Sequence, residues 1–262
     1  MPELPEVESA ARRLRGALVG HRIVEVKVLH PALRRRLSPA RARALRGGTI
    51  ASVERRGKHQ LVHLADGRVL HAHFRMTGDW TIDAVTDDLP RFARAAISLD
   101  DGTRVVLDDP RALSTLDVHR ANAAPALGLG PEPDDPTLTA TSLQEVLARR
   151  RGPIKPVLLD QRVIAGLGNI YAAESLWRAR IAPTTPASSL TKKQVGVLLR
   201  AIRAVIAKAT GARYTDSSVS RLAVYDREGK PCRRCGSTIE RIVQAGRSTY
   251  FCPGCQGEGG RV

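Results

Sequence analysis

The chain opens Met1-Pro2-Glu3-Leu4-Pro5-Glu6, with a proline directly behind the first methionine. Removal of Met1 before so small a residue would leave Pro2 with a secondary amine. An α-amino group has a pKa near 8 in model peptides, so part of it is unprotonated at neutral pH. An amine fixed on a rigid ring can attack an aldehyde-like carbon and hold it as an iminium, with the carboxylates of Glu3 and Glu6 at hand to move protons. The same residues also read as an ordinary chain end whose acids complement a helix dipole.

Cys232 and Cys235, then Cys252 and Cys255, form two C-x-x-C pairs separated by 16 residues. That spacing lets two short knuckles place four thiolates around one tetrahedral zinc. With protein sulfur in all four positions, the metal would be structural and would hold no reactive water. Between the pairs lie Arg241 and Arg247, which on a rigid metal-stapled hairpin either meet phosphate or are merely solvated. Gly166-Leu167-Gly168-Asn169 reads as a tight glycine turn into a helix. Its amides suit an anion; the alternative is a plain interhelical corner with Asn169 as N-cap.

Elements must position these groups. Val7, Ala10, Ala11, Leu14 and Leu18 recur at helical spacing, predicting a helix over 5–18. After Gly20 the pattern becomes short apolar runs at 23–28, 61–64, 69–74, 95–99 and 104–107. Asp66-Gly67 and Asp101-Gly102 supply hairpin turns, so the first half reads as an antiparallel sandwich or barrel. The string from Pro125 to Pro136 is too rich in proline and glycine for either periodic structure and marks a domain boundary. Beyond it, Ser142 with Glu145 forms a capping-box pattern, and helices are predicted at 153–162, 169–178 and 191–209. From Val219 short strands surround the cysteines, and Gly257 to Gly260 form a loose tail.

Composition narrows the partner. Lys and Arg total 42 against 26 acids, a formal charge of +16 over 262 residues, which points to a polyanion. Aromatics make up only 3% of the chain, too few for rows of stacking rings, so the polyanion should be duplex-like. The apolar content of 42% is that of a folded protein rather than a basic tail. There is no run of apolar residues long enough for a membrane helix and no signal-peptide pattern, so the expected location is intracellular.

Together these residues resemble the formamidopyrimidine-DNA glycosylase and endonuclease VIII superfamily of base-excision repair, over nearly the whole chain. The resemblance rests on the amino terminus, Arg55-Arg56-Gly57-Lys58, His73 to Gly78, Asp109-Pro110-Arg111, Gly128 to Pro133, Ile154-Lys155-Pro156, Asp160 to Ser175 and the zinc hairpin with Gly246-Arg247. Leu4 is similar to the formamidopyrimidine branch. The resemblance implies an α+β fold: a catalytic β-sandwich with an early helix over 1–130, a helix-two-turn-helix domain over 131–218 and a zinc-finger hairpin over 219–262. It implies a bifunctional glycosylase and lyase, cutting by β,δ-elimination, with Pro2 as nucleophile, Glu3 as acid/base and Glu6 supporting the amine. Lys58, counted among the catalytic residues, would clamp phosphates together with Asn169 and Arg247, with Lys155 among the DNA-binding residues. Met76, Arg111 and Leu113 would fill the void left by a flipped base. One structural zinc, damaged double-stranded DNA as partner, a monomeric state and a cytoplasmic, nucleoid-associated location complete the expectation.

The sequence departs from the family pattern in three places. Leu113 stands where the family has a phenylalanine, Arg75 stands where it often has glycine, and the segment from Gly211 to Tyr225 is shorter than the family's loop over flipped 8-oxoguanine. These departures leave two further readings: a weakly catalytic binder of damaged DNA, or a glycosylase specialised for a bulky or unusual adduct. A general nucleic-acid module such as an RNA-binding protein would explain the charge and the zinc ribbon but not the amino terminus.

Overall fold

The computed structural model describes residues 1–120, 125–210 and 222–257. The chain divides into two units, Met1–Leu127 and Gly128–Val262.

In the first unit, helix α1 (Leu4–Leu18) begins with a reciprocal capping box between Glu3 and Glu6, and Pro5 sits in its first turn, where the missing amide hydrogen costs nothing. The expected stripe of Val7, Ala10, Ala11, Leu14 and Leu18 is wholly buried. Among the described residues eight strands follow: β1 (Ile23–Val28), β2 (Ile50–Arg56), β3 (His59–Leu64), β4 (Val69–His73), β5 (Asp79–Ala84), β6 (Ala93–Leu99), β7 (Thr103–Asp108) and β8 (Thr115–His119). Between β1 and β2 lie two short helices, α2 (Pro31–Arg34) and α3 (Pro39–Ala44).

The strands form two antiparallel sheets, in the orders β1-β6-β7-β5 and β2-β3-β4-β8. Val26, Ile97, Val105 and Leu107 from the first sheet share one apolar core with Val53, Val62, Leu70 and Leu116 from the second. The α1 helix contributes Val7, Ala10 and Leu14 to that core and lies against β2. Gly67 and Gly102 occupy the left-handed conformation at the expected turns. Three strands had no signal in the apolar runs: β2, β5 and β8. Each is an edge of its sheet, with one neighbour and several half-exposed polar residues, so its pattern is diluted.

The second unit opens helical, with α4 (Ala140–Ala148), α5 (Ile154–Leu158), α6 (Asn169–Ala179) and α7 (Lys192–Ala209). The α4 cap differs from the Ser142/Glu145 expectation. Thr139 is the N-cap and Ser142 its N3 partner, because Thr139 Oγ1 already accepts the Ser142 amide one turn earlier. Helix α5 ends sooner than expected, as the chain from Asp160 turns tightly, with the Val163 amide donating to the Asp160 carbonyl. Gly168, not Asn169, caps α6.

A two-stranded ribbon, β9 (Glu240–Gln244) and β10 (Arg247–Phe251), precedes a short helix, α8 (Pro253–Gln256). Ala173 of α6 packs with Val224, Ile239 and the cysteines in a second apolar cluster. Among the described residues no helix is long and apolar enough to cross a membrane. The shortened Gly211–Tyr225 segment falls largely outside the described residues, as does most of the glycine tail.

Candidate active site and nucleic-acid interface

Chemistry in the first unit gathers at the chain start. Pro2 and Glu3 are buried and the terminal ammonium of Met1 is half-buried. With Met1 present, the Pro2 nitrogen is an amide, and the amine beside it reports the local field. Burial pushes the pKa of that amine below the usual value of 8, Glu3 and Glu6 pull it up, and Lys58 and Arg111 push it down. Four of the expected site residues therefore act electrostatically on one nitrogen. Glu6 does double duty, since its carboxylate accepts the Glu3 amide at 2.9 Å and so fixes the first turn of α1.

Lys58 is nearly buried and sits in the turn between β2 and β3, behind Gly57 at φ 58°. What holds that turn against α1 is Glu8, which sequence reasoning passed over. Its carboxylate accepts Arg55 Nε at 2.7 Å and Arg15 Nη1 at 3.0 Å. Burial alone would raise the Glu8 carboxyl, but the two guanidinium groups hold it below the ordinary carboxylate range.

Met76, Arg111 and Leu113 are all exposed, on two loops: residues 74–78 between β4 and β5, and residues 109–114 between β7 and β8. Asp109 ties the loops together. Fully buried, it accepts the hydroxyl of Thr77 from one loop and, from the other, the amides of Arg111 at 3.1 Å, Leu113 at 2.8 Å and Ser114 at 2.8 Å. Ser114 Oγ donates to the same carboxylate at 2.8 Å and lies within 3.0 Å of the Phe74 carbonyl. Burial would raise this carboxyl, yet the donors hold it low and charged. The approach leaves no room at Gly78, where a Cβ would strike Ser114 Oγ.

Beneath Lys58 the inner strands of this sheet carry a row of imidazoles. His59 and His73 are cross-strand partners with rings 4.7 Å apart, and His59 Nδ1 lies 2.8 Å from His71 Nε2. Burial first, then the neighbouring histidine, and after it Arg75 and Lys58, lower His59 to about 4 and His73 to about 3. Both are neutral at pH 7. The sequence signal was His71-x-His73, two residues on one strand face, opposite His59.

In the second unit Lys155 corrects its expectation. It was expected to touch DNA, but only 1% of it is exposed, and its ammonium donates to Asn169 Oδ1 at 2.6 Å, Thr249 Oγ1 at 2.7 Å and the Ser248 carbonyl at 3.0 Å. Asn169 Nδ2 donates to the same Ser248 carbonyl at 3.0 Å. A buried ammonium is tolerable only when so satisfied, and these three acceptors satisfy it. Lys155 fastens Asn169, the first residue of α6, to the strand that begins with exposed Arg247. The glycine turn before α6 is held by Gln161, which accepts the Gly166 amide at 2.9 Å and donates to the Leu167 carbonyl at 2.8 Å. Gly168 has no side chain, so the N-cap of α6 supplies no capping bond of its own.

The four cysteine sulfurs lie within 4.8 Å of one another, with separations of 3.4 to 3.8 Å between Cys235 and Cys252 and between Cys232 and Cys255. Tetrahedral zinc with Zn–S near 2.3 Å requires sulfurs about 3.8 Å apart, so this donor set fits one structural zinc ion. Arg234 stacks over Trp177 at 4.0 Å, fixing the first knuckle on α6.

Comparison with known proteins agrees along the chain. Residues 1–116 match the model of the formamidopyrimidine-DNA glycosylase N-terminal domain, 129–220 the H2TH domain of the same glycosylase and 229–257 a zinc finger found in FPG and IleRS. The formamidopyrimidine-DNA glycosylase of Chloroflexus aggregans is 43% identical, with 98% of each chain covered. That of Rhizorhabdus wittichii is 39% identical over 98% of this chain and all of its own. Among solved structures, Lactococcus lactis Fpg bound to abasic-site DNA superposes with a TM-score of 0.88 at 29% identity. It covers 98% of this chain and 100% of that one. The same protein with Fapy-dG DNA gives 0.89 at 30% identity, with the same coverage. Sequence, domain order and fold agree, and the chain belongs to the formamidopyrimidine-DNA glycosylase family.

Proposed function

We propose that this chain is a base-excision-repair DNA glycosylase with abasic-site lyase activity, acting on oxidised or ring-opened bases in duplex DNA. The observation that carries the reading is the convergence of Glu3, Glu6, Lys58 and Arg111 on the terminal amine, whose pKa burial depresses. Once Met1 is removed, the Pro2 nitrogen takes up that field as an unprotonated nucleophile. It attacks the anomeric carbon and the bond to the damaged base breaks, the base leaving with a proton. The sugar ring opens with Glu3 as proton donor, and the sugar is held as an iminium. Loss of a C2′ proton then expels the 3′ phosphate, and a further elimination expels the 5′ phosphate. Glu6 holds the amine's turn while Lys58, Asn169 and Arg247 grip phosphates without reading sequence. Met76, Arg111 and Leu113 occupy the gap left when the base leaves the stack.

The reading divides the chain into a catalytic sandwich (1–130), a helix-two-turn-helix domain (131–218) and a zinc hairpin (219–262), in a monomer working at the nucleoid. Borohydride treatment in the presence of a duplex with one abasic site should trap a covalent complex. Peptide mapping should place the adduct on Pro2, and intact mass should show Met1 removed. No trapped complex, or an adduct mapped to a lysine, overturns the proline mechanism. Single-lesion duplexes then rank the substrates.

A further inference from the structure

Left-handed backbone outside glycine is concentrated beside the candidate DNA contacts. Among the described residues, five that are not glycine have positive φ: Arg75 at 58°, Ala112 at 52°, Arg180 at 58°, Asp226 at 56° and Ala245 at 48°. Arg180 simply closes α6. Three of the others adjoin expected contacts: Arg75 precedes Met76, Ala112 separates Arg111 from Leu113, and Ala245 with Gly246 turns the chain into Arg247. An L residue in this region costs roughly 1–2 kcal/mol, and such strain persists where a site requires it. At Ala112 and Ala245 the small side chain adds little, so only the aim of the neighbouring residue is served.

Arg75 is different, because it puts a long cation on the strained position. Its side chain is exposed, and among the described residues no carboxylate pairs with it. Its backbone amide donates to His73 Nδ1 at 2.9 Å, which holds the turn. Arg75 and Lys58 both act electrostatically on His59 and His73, lowering their pKa values. A fold that needed only the turn would be better served by glycine, which adopts positive φ freely. The guanidinium is the reason to keep an arginine there.

We propose that Arg75 is a further DNA-binding residue, one that grips a backbone phosphate beside the Met76 wedge. A guanidinium fork suits phosphate oxygens and carries no base information. The inference rests on the glycosylase reading for its duplex, but not on the proline chemistry.

The test uses the full chain, a duplex carrying a stable abasic-site analogue, and the variants Arg75→Gly and Arg75→Asn, both of which accept the left-handed backbone. Affinity at about 0.1 M salt should fall roughly tenfold in each, as for one lost charge-assisted contact. The slope of log affinity against log salt should flatten by about one. The Tm should hold steady or rise, and the loss should be the same whichever base stands opposite the lesion. An unchanged salt slope in both variants overturns the proposal. So does a sharp fall in Tm with affinity intact, which would mark a structural strut, or a loss that depends on the opposite base, which would mark a base reader. Borohydride trapping by the wild-type chain is scored separately, so failure of the lyase reading leaves the phosphate contact to stand or fall on its slope.

Discussion

Replacing Asp109 with asparagine is the sharpest probe of the loops that carry Met76, Arg111 and Leu113. The carboxylate accepts five hydrogen bonds: Oδ1 takes Thr77 Oγ1 and the Arg111 amide, while Oδ2 takes the Leu113 and Ser114 amides and Ser114 Oγ. Asparagine keeps one acceptor oxygen. With that oxygen in the Oδ2 position three bonds survive without their charge, and the new NH2 faces the other two donors. Thr77 can rotate its hydroxyl to accept, but the Arg111 amide cannot. One buried amide is orphaned and three bonds drop from charged to neutral strength, a loss of about 3 kcal/mol. For a unit of this size that lowers Tm by roughly 10 °C. Urea or thermal unfolding reads the stability. Excision from a base-paired lesion should slow about tenfold or more, with cleavage of a preformed abasic site affected less, because only the former needs the wedge to displace a base. Asp109→Asn within about 0.5 kcal/mol of wild type would show that the carboxylate does not bind the two loops together.

Other expectations follow from the same geometry. Arg247→Ala should flatten the salt dependence of duplex binding by about one unit, and an unchanged slope removes it from the interface. Lys155→Met keeps the volume but strips the ammonium from Asn169, Ser248 and Thr249; DNA affinity should fall with little change in salt slope, whereas a slope reduced by one would make Lys155 a direct contact. Zinc chelation should loosen the β9–β10 ribbon and weaken binding while trapping at low salt persists; undiminished binding after metal loss would leave the ribbon a fold staple. His59 and His73 titrate near 4 and 3 in the folded chain, below the ordinary 6.5, so the unfolded chain takes up their protons first. Stability should therefore fall as pH drops below about 6.5 and go on falling toward about 3. His59→Gln should shallow that decline in acid unfolding, and an unaltered profile would show that the imidazole is already solvated.

Much of the fold was legible because burial leaves a periodic trace. The α1 stripe and the central strands β3, β4, β6 and β7 announced themselves, since a face pressed into one core must be apolar at a fixed period. Three of the four edge strands, β2, β5 and β8, did not, because polar residues interrupt their apolar positions; the fourth, β1, was legible because Ile23, Val24, Val26 and Val28 keep it apolar although half of it meets water. The four cysteines were legible because zinc dictates spacing within each short pair. Lys155 was not: its partners lie 14, 93 and 94 residues away, and no local pattern records a contact closed by the tertiary fold. Asp109 stood in plain view within its Pro-Arg motif, but its role exists only once the loop of Thr77 has been brought alongside. Arg75 was visible as an oddity, and its positive φ supplied the meaning.

The buried ammonium of Lys155 also bears on how such chains can be rebuilt. Two of its three acceptors belong to the ribbon and one to the start of α6, 14 residues further along the chain. Exchanging residues 229–257 for a metal-binding cassette from an unrelated protein would strand a charge in an apolar interior unless the incoming strand offered a hydroxyl and a carbonyl at the same two places. The ribbon is therefore not a detachable cartridge, and any recombination across this boundary has to carry the lysine, the asparagine and the threonine as a single inherited set.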